Sequence, residues 1–90
     1  MSWTFFTNYG HVIFLVAKNP EITLREIANK TGITERAVQR IISDLEKDGF
    51  LKISKIGRQN SYKIMGKKHL KHTIEKNCRI DEVVTLINSR

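Results

Sequence analysis

A mainly α fold is predicted, three helices backed by a small β-hairpin, with a helical extension at the C-terminal end. Three observations predict it. Between Thr23 and Asp48 apolar residues recur at helical spacing, interrupted once at Thr31-Gly32. Between Leu51 and Ile64 the spacing shortens to two residues. At Ile80, Val83, Val84 and Ile87 it returns to i, i+3, i+4 and i+7.

The chain opens on an aromatic cluster, Trp3, Phe5 and Phe6. Such a cluster packs away from water, either on its own domain or on a second subunit, and the sequence leaves both open. Asn8 is read as the cap of a first helix running to about Asn19. Tyr9, Ile13, Val16 and Ala17 form its inner stripe. Pro20 follows the end, where a residue that cannot continue a helix belongs. Glu21-Ile22 reads as a brief edge strand.

The next two helices are marked by their caps. Thr23 and Glu26 have the spacing of a capping box, with Ile22 and Ile27 as a hydrophobic staple. Leu24, Ile27 and Ala28 give the apolar face, and Gly32 supplies a left-handed stop. Thr34 caps the third helix, with Ile33 and Val38 as its staple. Val38, Ile41, Ile42 and Leu45 form the buried stripe. Gly49 ends the helix, and Phe50 can fold back on Leu45. Glu35, Arg36, Gln39 and Arg40 remain on the outer face near the N-terminus. In a helix-turn-helix that part of the second helix meets base edges. Two packed helices with polar outer faces would look the same to this point.

Leu51 and Ile53 alternate in one short run, Tyr62 and Ile64 in another. Between them Gly57-Arg58-Gln59-Asn60 is a turn-forming cluster with a basic tip, and Lys52, Lys55 and Lys63 add charge. Three helices followed directly by a basic hairpin make a winged helix arrangement. Its hairpin places Arg58, Gln59 and Asn60 within reach of backbone phosphates or a minor groove. Residues 1–66 are read as this DNA-binding domain. Residues 67–90 are read as a basic segment (Lys67, Lys68, His69, Lys71, His72) and a final amphipathic helix capped by Asp81. The stripe of that helix closes over the first helix or pairs with its twin in a dimer.

Composition narrows the partners. The chain has 90 residues and a formal charge of +7, from 16 Lys and Arg against 9 Asp and Glu. One domain is the default at this length. The basic excess favours nucleic acid or another polyanion. The single cysteine, Cys78, allows no internal disulfide and fits a reducing cytoplasm. No basic segment precedes an apolar run at the N-terminus, so no signal peptide is indicated. His11 to Ala17 is too short to cross a bilayer, and no membrane partner is expected.

Catalytic patterns are missing. No Gly-rich phosphate loop and no Ser or Cys nucleophile motif is present, so no enzyme and no cofactor are expected. His69 and His72 stand three apart, with Cys78 the nearby soft ligand, but a closed tetrahedral zinc set is not visible.

From Ile22 to Ile64 the sequence resembles the bacterial and archaeal winged helix-turn-helix transcriptional regulators of the MarR-like kind. The residues that carry the resemblance are LREIANKTGITERAVQRIISDLEKDGFL and the wing GRQNSYKI. In that family the equivalent of Thr34 to Ser43 enters the major groove and the wing contacts the flanking backbone. The resemblance therefore implies Thr34, Arg36, Gln39 and Arg40 as groove residues and Arg58, Gln59 and Asn60 as wing residues; Glu35 and Ser43 on the same helix and Lys55 on the hairpin complete the candidate DNA-binding set. Larger relatives carry long helices at both ends that build a dimer and a small-ligand pocket. Here Ile80 to Ile87 offers the clear extra helix.

The expected function is that of a sequence-specific regulator binding double-stranded DNA as a homodimer. Phosphate contacts by Lys and Arg would supply most of its affinity. Arg36 or Arg40 would read guanine and Gln39 adenine. Two rivals stay open. One is a winged-helix protein-interaction module. The other is a regulator responding to a metal or small ligand, with His69, His72 and Cys78 as its candidates.

Overall fold

Thr23 and Thr34 start their helices as their spacing predicts. The Thr23 hydroxyl accepts from the Glu26 N–H at 3.1 Å, and the Glu26 carboxylate accepts from the Thr23 N–H at 3.2 Å. The Thr34 hydroxyl accepts from the Ala37 N–H at 3.0 Å. Each cap satisfies backbone donors that a helix start leaves open. In the computed structural model, which describes residues 3–90, the order is α1 (Asn8–Lys18), α2 (Leu24–Thr31), α3 (Glu35–Lys47), β1 (Leu51–Ile56), β2 (Gln59–Ile64) and α4 (Ile80–Asn88). Met1 and Ser2, the start of the predicted 1–66 unit, lie outside the described residues.

The stops follow the glycines. Gly32 adopts φ +79° and its N–H returns to Ala28 at 2.9 Å. At the end of α3, Gly49 has φ +82° and donates to Glu46 O, while the Phe50 N–H reaches Leu45 O at 2.9 Å. That pair of bonds is a Schellman motif, and it turns Phe50 back into the core.

One core joins all the elements. Val12, Ile13 and Val16 of α1 are buried with Ile27 of α2, with Val38, Ile41, Ile42 and Leu45 of α3, and with Leu51 and Tyr62 of the hairpin. The hairpin is antiparallel, with Leu51 opposite Ile64 and Ile53 opposite Tyr62, so the apolar pairs share one face.

Four local expectations are corrected. Asn8 is the first helical residue, not the cap; Thr7 holds the cap position, and the Asn8 amide oxygen instead meets His11 Nδ1 at 3.1 Å. Asp81 likewise lies inside α4, where it pairs with Arg79 Nε at 3.0 Å. Glu82 takes the N-terminal role by accepting from the Arg79 N–H at 2.9 Å. Glu21-Ile22 forms no strand. The segment runs beside β2 with one ladder-like bond, Tyr62 N–H to Pro20 O at 2.9 Å, because Pro20 has no N–H to return. The turn is Gly57-Arg58 alone; Gln59 and Asn60 already belong to β2.

The final helix lies across α1. Ile80 is buried at 6 % exposure and Val84 packs against the core. Asn88 Nδ2 donates to the Phe14 carbonyl at 3.1 Å. Residues 67–79 form a loop closed at its base by Leu70 N–H to Cys78 O and Ile80 N–H to Lys68 O.

Candidate nucleic-acid interface

The geometry of α3 separates two faces. Its stripe from Val38 to Leu45 is buried, so the polar residues between are forced outward. Thr34, Glu35, Arg36, Gln39, Arg40 and Ser43 are all exposed. Tyr9 of α1 ties the far end of the helix by a 2.6 Å hydrogen bond to Asp44 Oδ2. The N-terminal end projects while the opposite end is anchored. The oxygen of Thr34 is committed to the cap, which differs from a free contact residue.

The wing is short and braced. Gly57 has φ +65° and Arg58 a negative φ, which fits a two-residue type II′ turn with glycine at its first central position. Lys55 and Arg58 are exposed. Gln59 and Asn60 are less available than their sequence position implied. Gln59 Nε2 donates to Glu21 O at 3.0 Å, and Asn60 Nδ2 to Tyr62 Oη at 3.3 Å. The first bond ties the hairpin to the segment before α2; the second lies within β2.

A groove runs between the wing and the N-terminal ends of α2 and α3. It brings Lys55 and Arg58 together with Glu35, and it adds two residues that the sequence reading passed over, Arg25 and Ile56. The signal for Arg25 was its place directly after Leu24 in the first turn of a capped helix, on the side away from Ile27. A groove made by three separate elements cannot be read from spacing within any one of them.

Charge is distributed unevenly. Among the described residues no ion pair takes up Arg25, Arg36, Arg40, Lys55 or Arg58. The ion pairs lie elsewhere. Lys71 meets Asp48 at 2.6 Å, and its hydrogen bond holds the Asp48 carboxyl below the usual carboxylate range. Arg79 meets Asp81 at 3.0 Å, and that bond raises the guanidinium further. The cations of the α3 face and the wing stay free for an external polyanion.

The metal candidates do not converge. His69 Nδ1 donates to Lys76 O at 2.7 Å, His72 Nδ1 accepts from the Ile74 N–H at 3.1 Å, and Cys78 Sγ points to Arg79 O. Among the described residues no group of three His, Cys, Asp or Glu side chains is placed to hold a metal ion. Among them, too, no helix is long and apolar enough to cross a membrane.

Comparison with known proteins bears on this arrangement. Residues 11–52 match the family model for winged helix-turn-helix DNA-binding domains. An uncharacterized protein of Methanocaldococcus jannaschii is 41 % identical over 59 residues, which is 64 % of this chain and 13 % of that protein. The crystal structure of the zinc-dependent MarR family transcriptional regulator AdcR, in its Zn(II)-bound state, superposes with a TM-score of 0.51 at 26 % identity. That match covers 72 % of this chain and 47 % of AdcR, so the chain spans about half the length of one relative and a small part of the other. The matched family model describes a DNA-binding domain. With the capped α2–α3 pair, the braced wing and these likenesses together, the chain has a winged helix-turn-helix fold similar to that of a MarR family regulator.

Proposed function

We propose that this protein regulates transcription by sequence-specific binding to double-stranded DNA. The N-terminal half of α3 enters the major groove, and the wing lies on the flanking duplex. The observation that carries this reading is the set of exposed cations that no ion pair takes up, Arg36 and Arg40 on α3 and Arg58 on the wing. Arg36 and Arg40 have the donor fork for guanine O6 and N7, and Gln39 the amide for adenine N6 and N7. Thr34 and Ser43 frame that face, and Glu35 can accept from cytosine N4. Lys55, Arg58 and Arg25 line the groove beside it and suit backbone phosphates. Gln59 acts chiefly as a brace of the wing, while Asn60 bonds Tyr62 within β2.

A homodimer in the cytoplasm completes the proposal. The exposed Trp3, Phe5 and Phe6 at one end of the chain and Leu86 and Ile87 on the outer side of α4 give an apolar surface for a second copy. A symmetric pair would read two half-sites about 34–36 Å apart. Selection of bound sequences from a random duplex pool tests the whole reading. Recovery of an inverted repeat is expected. A pool that stays random would overturn sequence-specific binding and favour a protein-docking role for the α3 face.

A further inference from the structure

The side-chain alternation of β1 inverts at the wing tip. Leu51 and Ile53 face the core, so Lys55 occupies the next inward position and Ile56 the outward one. A pattern set by the core alone would place the apolar residue at 55 and the polar one at 56. Ile56 is 63 % exposed, directly ahead of the Gly57-Arg58 turn. One exposed isoleucine is ordinary on a protein surface. This one stands inside the candidate interface, in the groove shared with Arg25, Lys55 and Arg58, on a hairpin tied to the Pro20–Glu21 segment by Gln59 and Tyr62.

A wing that touches phosphates alone has no use for an apolar side chain. The minor groove has one, because its walls are the C–H surfaces of deoxyribose and it is only about 6 Å wide. Proteins that enter it commonly combine arginine with an apolar side chain. We propose that Ile56 packs in the minor groove beside Arg58 and makes the wing a reader of A·T against G·C pairs flanking the α3 half-site. The guanine N2 amino group projects into that groove and needs an acceptor, which Ile56 does not offer; A·T pairs present no such donor. The inference rests on the DNA-binding reading above and adds a second, flanking selectivity to it.

Isoleucine also favours strands for its own sake, and the test must separate that effect. Ile56→Thr keeps the β-branch and the strand preference while removing the apolar tip. The probe is the duplex recovered from the random pool, with its wing-side pairs made A·T, G·C or inosine·cytosine. Inosine·cytosine presents the minor groove of A·T and a major groove like that of G·C. Wild-type protein should bind the A·T and inosine flanks alike and the G·C flank about five- to tenfold more weakly. Ile56→Thr, with an unchanged melting curve, should discriminate less than about twofold at an unchanged salt slope, since no charge is altered. Inosine flanks behaving like G·C, or full discrimination retained by Ile56→Thr, would overturn the proposal while leaving base reading by α3 intact. A wild-type protein that selects no sequence from the pool overturns both.

Discussion

Tyr9 Oη donates to Asp44 Oδ2 at 2.6 Å, joining residues 35 positions apart at the start of α1 and in the last turn of α3. The bond fixes the tilt of α3 from its C-terminal end. It also raises the Tyr9 phenol above its ordinary value of 10.0, chiefly through the hydrogen bond itself and then through desolvation and the Asp44 charge, against an opposing influence from Arg40. A raised acid contributes stability while it remains protonated, so that contribution is full below pH 10 and is lost as pH rises through the folded-state value. Tyr9→Phe should lower stability by about 1 kcal/mol or less, because the bond is exposed. It should also remove part of the alkaline loss. Chemical denaturation at pH 7 and at pH 10.5 measures both; an identical alkaline slope in the variant would show that Tyr9 does not carry it.

Thr23→Ala removes one half of the capping box of α2. The expected cost is about 1 kcal/mol, or roughly 4–8 °C in melting temperature for a domain of this size. Thermal unfolding followed by circular dichroism reads it directly. Thr23→Ser should behave almost as wild type.

Arg36→Ala and Arg40→Ala should each cost about 1–3 kcal/mol at a selected site and broaden the base preference at one position. Binding titrations against single-base variants of the recovered duplex check this. A uniform loss on every variant would assign these residues to phosphate instead.

Arg58→Ala should weaken binding and reduce the slope of log affinity against log salt by about one unit. Arg25→Ala should do the same if the groove tracks the backbone as its lining suggests. Affinity measured from low to moderate salt separates these losses from a loss of base reading.

One inner and one outer position of α4 give different answers about assembly. Val84 packs against the core, so Val84→Glu should destabilise the domain by about 1–3 kcal/mol whatever its oligomeric state. Leu86 is 59 % exposed. Leu86→Glu should leave the melting curve of the isolated fold within about 0.5 kcal/mol and weaken self-association. Sedimentation equilibrium at several concentrations is the measurement, and a Leu86→Glu protein that sediments as wild type removes α4 from the proposed contact.

What the sequence made legible was local. Thr23 with Glu26, Thr34 ahead of Glu35, and Gly49 before Phe50 each define their element within a few residues, and the structure keeps them all. Asn8 and Asp81 misled for a related reason: a good capping residue predicts a helix start nearby but not its exact position, and their side chains turn instead to His11 and Arg79. The stripe Ile80, Val83, Val84, Ile87 says that a face must be covered without naming the cover, and α1 turns out to take Ile80 and Val84. For the candidate interface, exposure on α3 followed from the buried stripe. The role of Gln59 as a brace, and the presence of Arg25, depend on contacts between distant segments that no periodicity encodes.

Pro20 has a further bearing, on how the protein behaves when concentrated. A strand edge with open donors and acceptors recruits strands from other molecules, and β-rich surfaces aggregate that way. Here the central outward donor of β2, the Tyr62 N–H, is already taken by the Pro20 carbonyl, and the Glu21 carbonyl beside it is taken by Gln59. Because the residue facing Tyr62 is a proline, the pairing cannot grow into a third strand or template a fourth. The same segment that braces the wing thus guards the β2 edge against pairing with another hairpin.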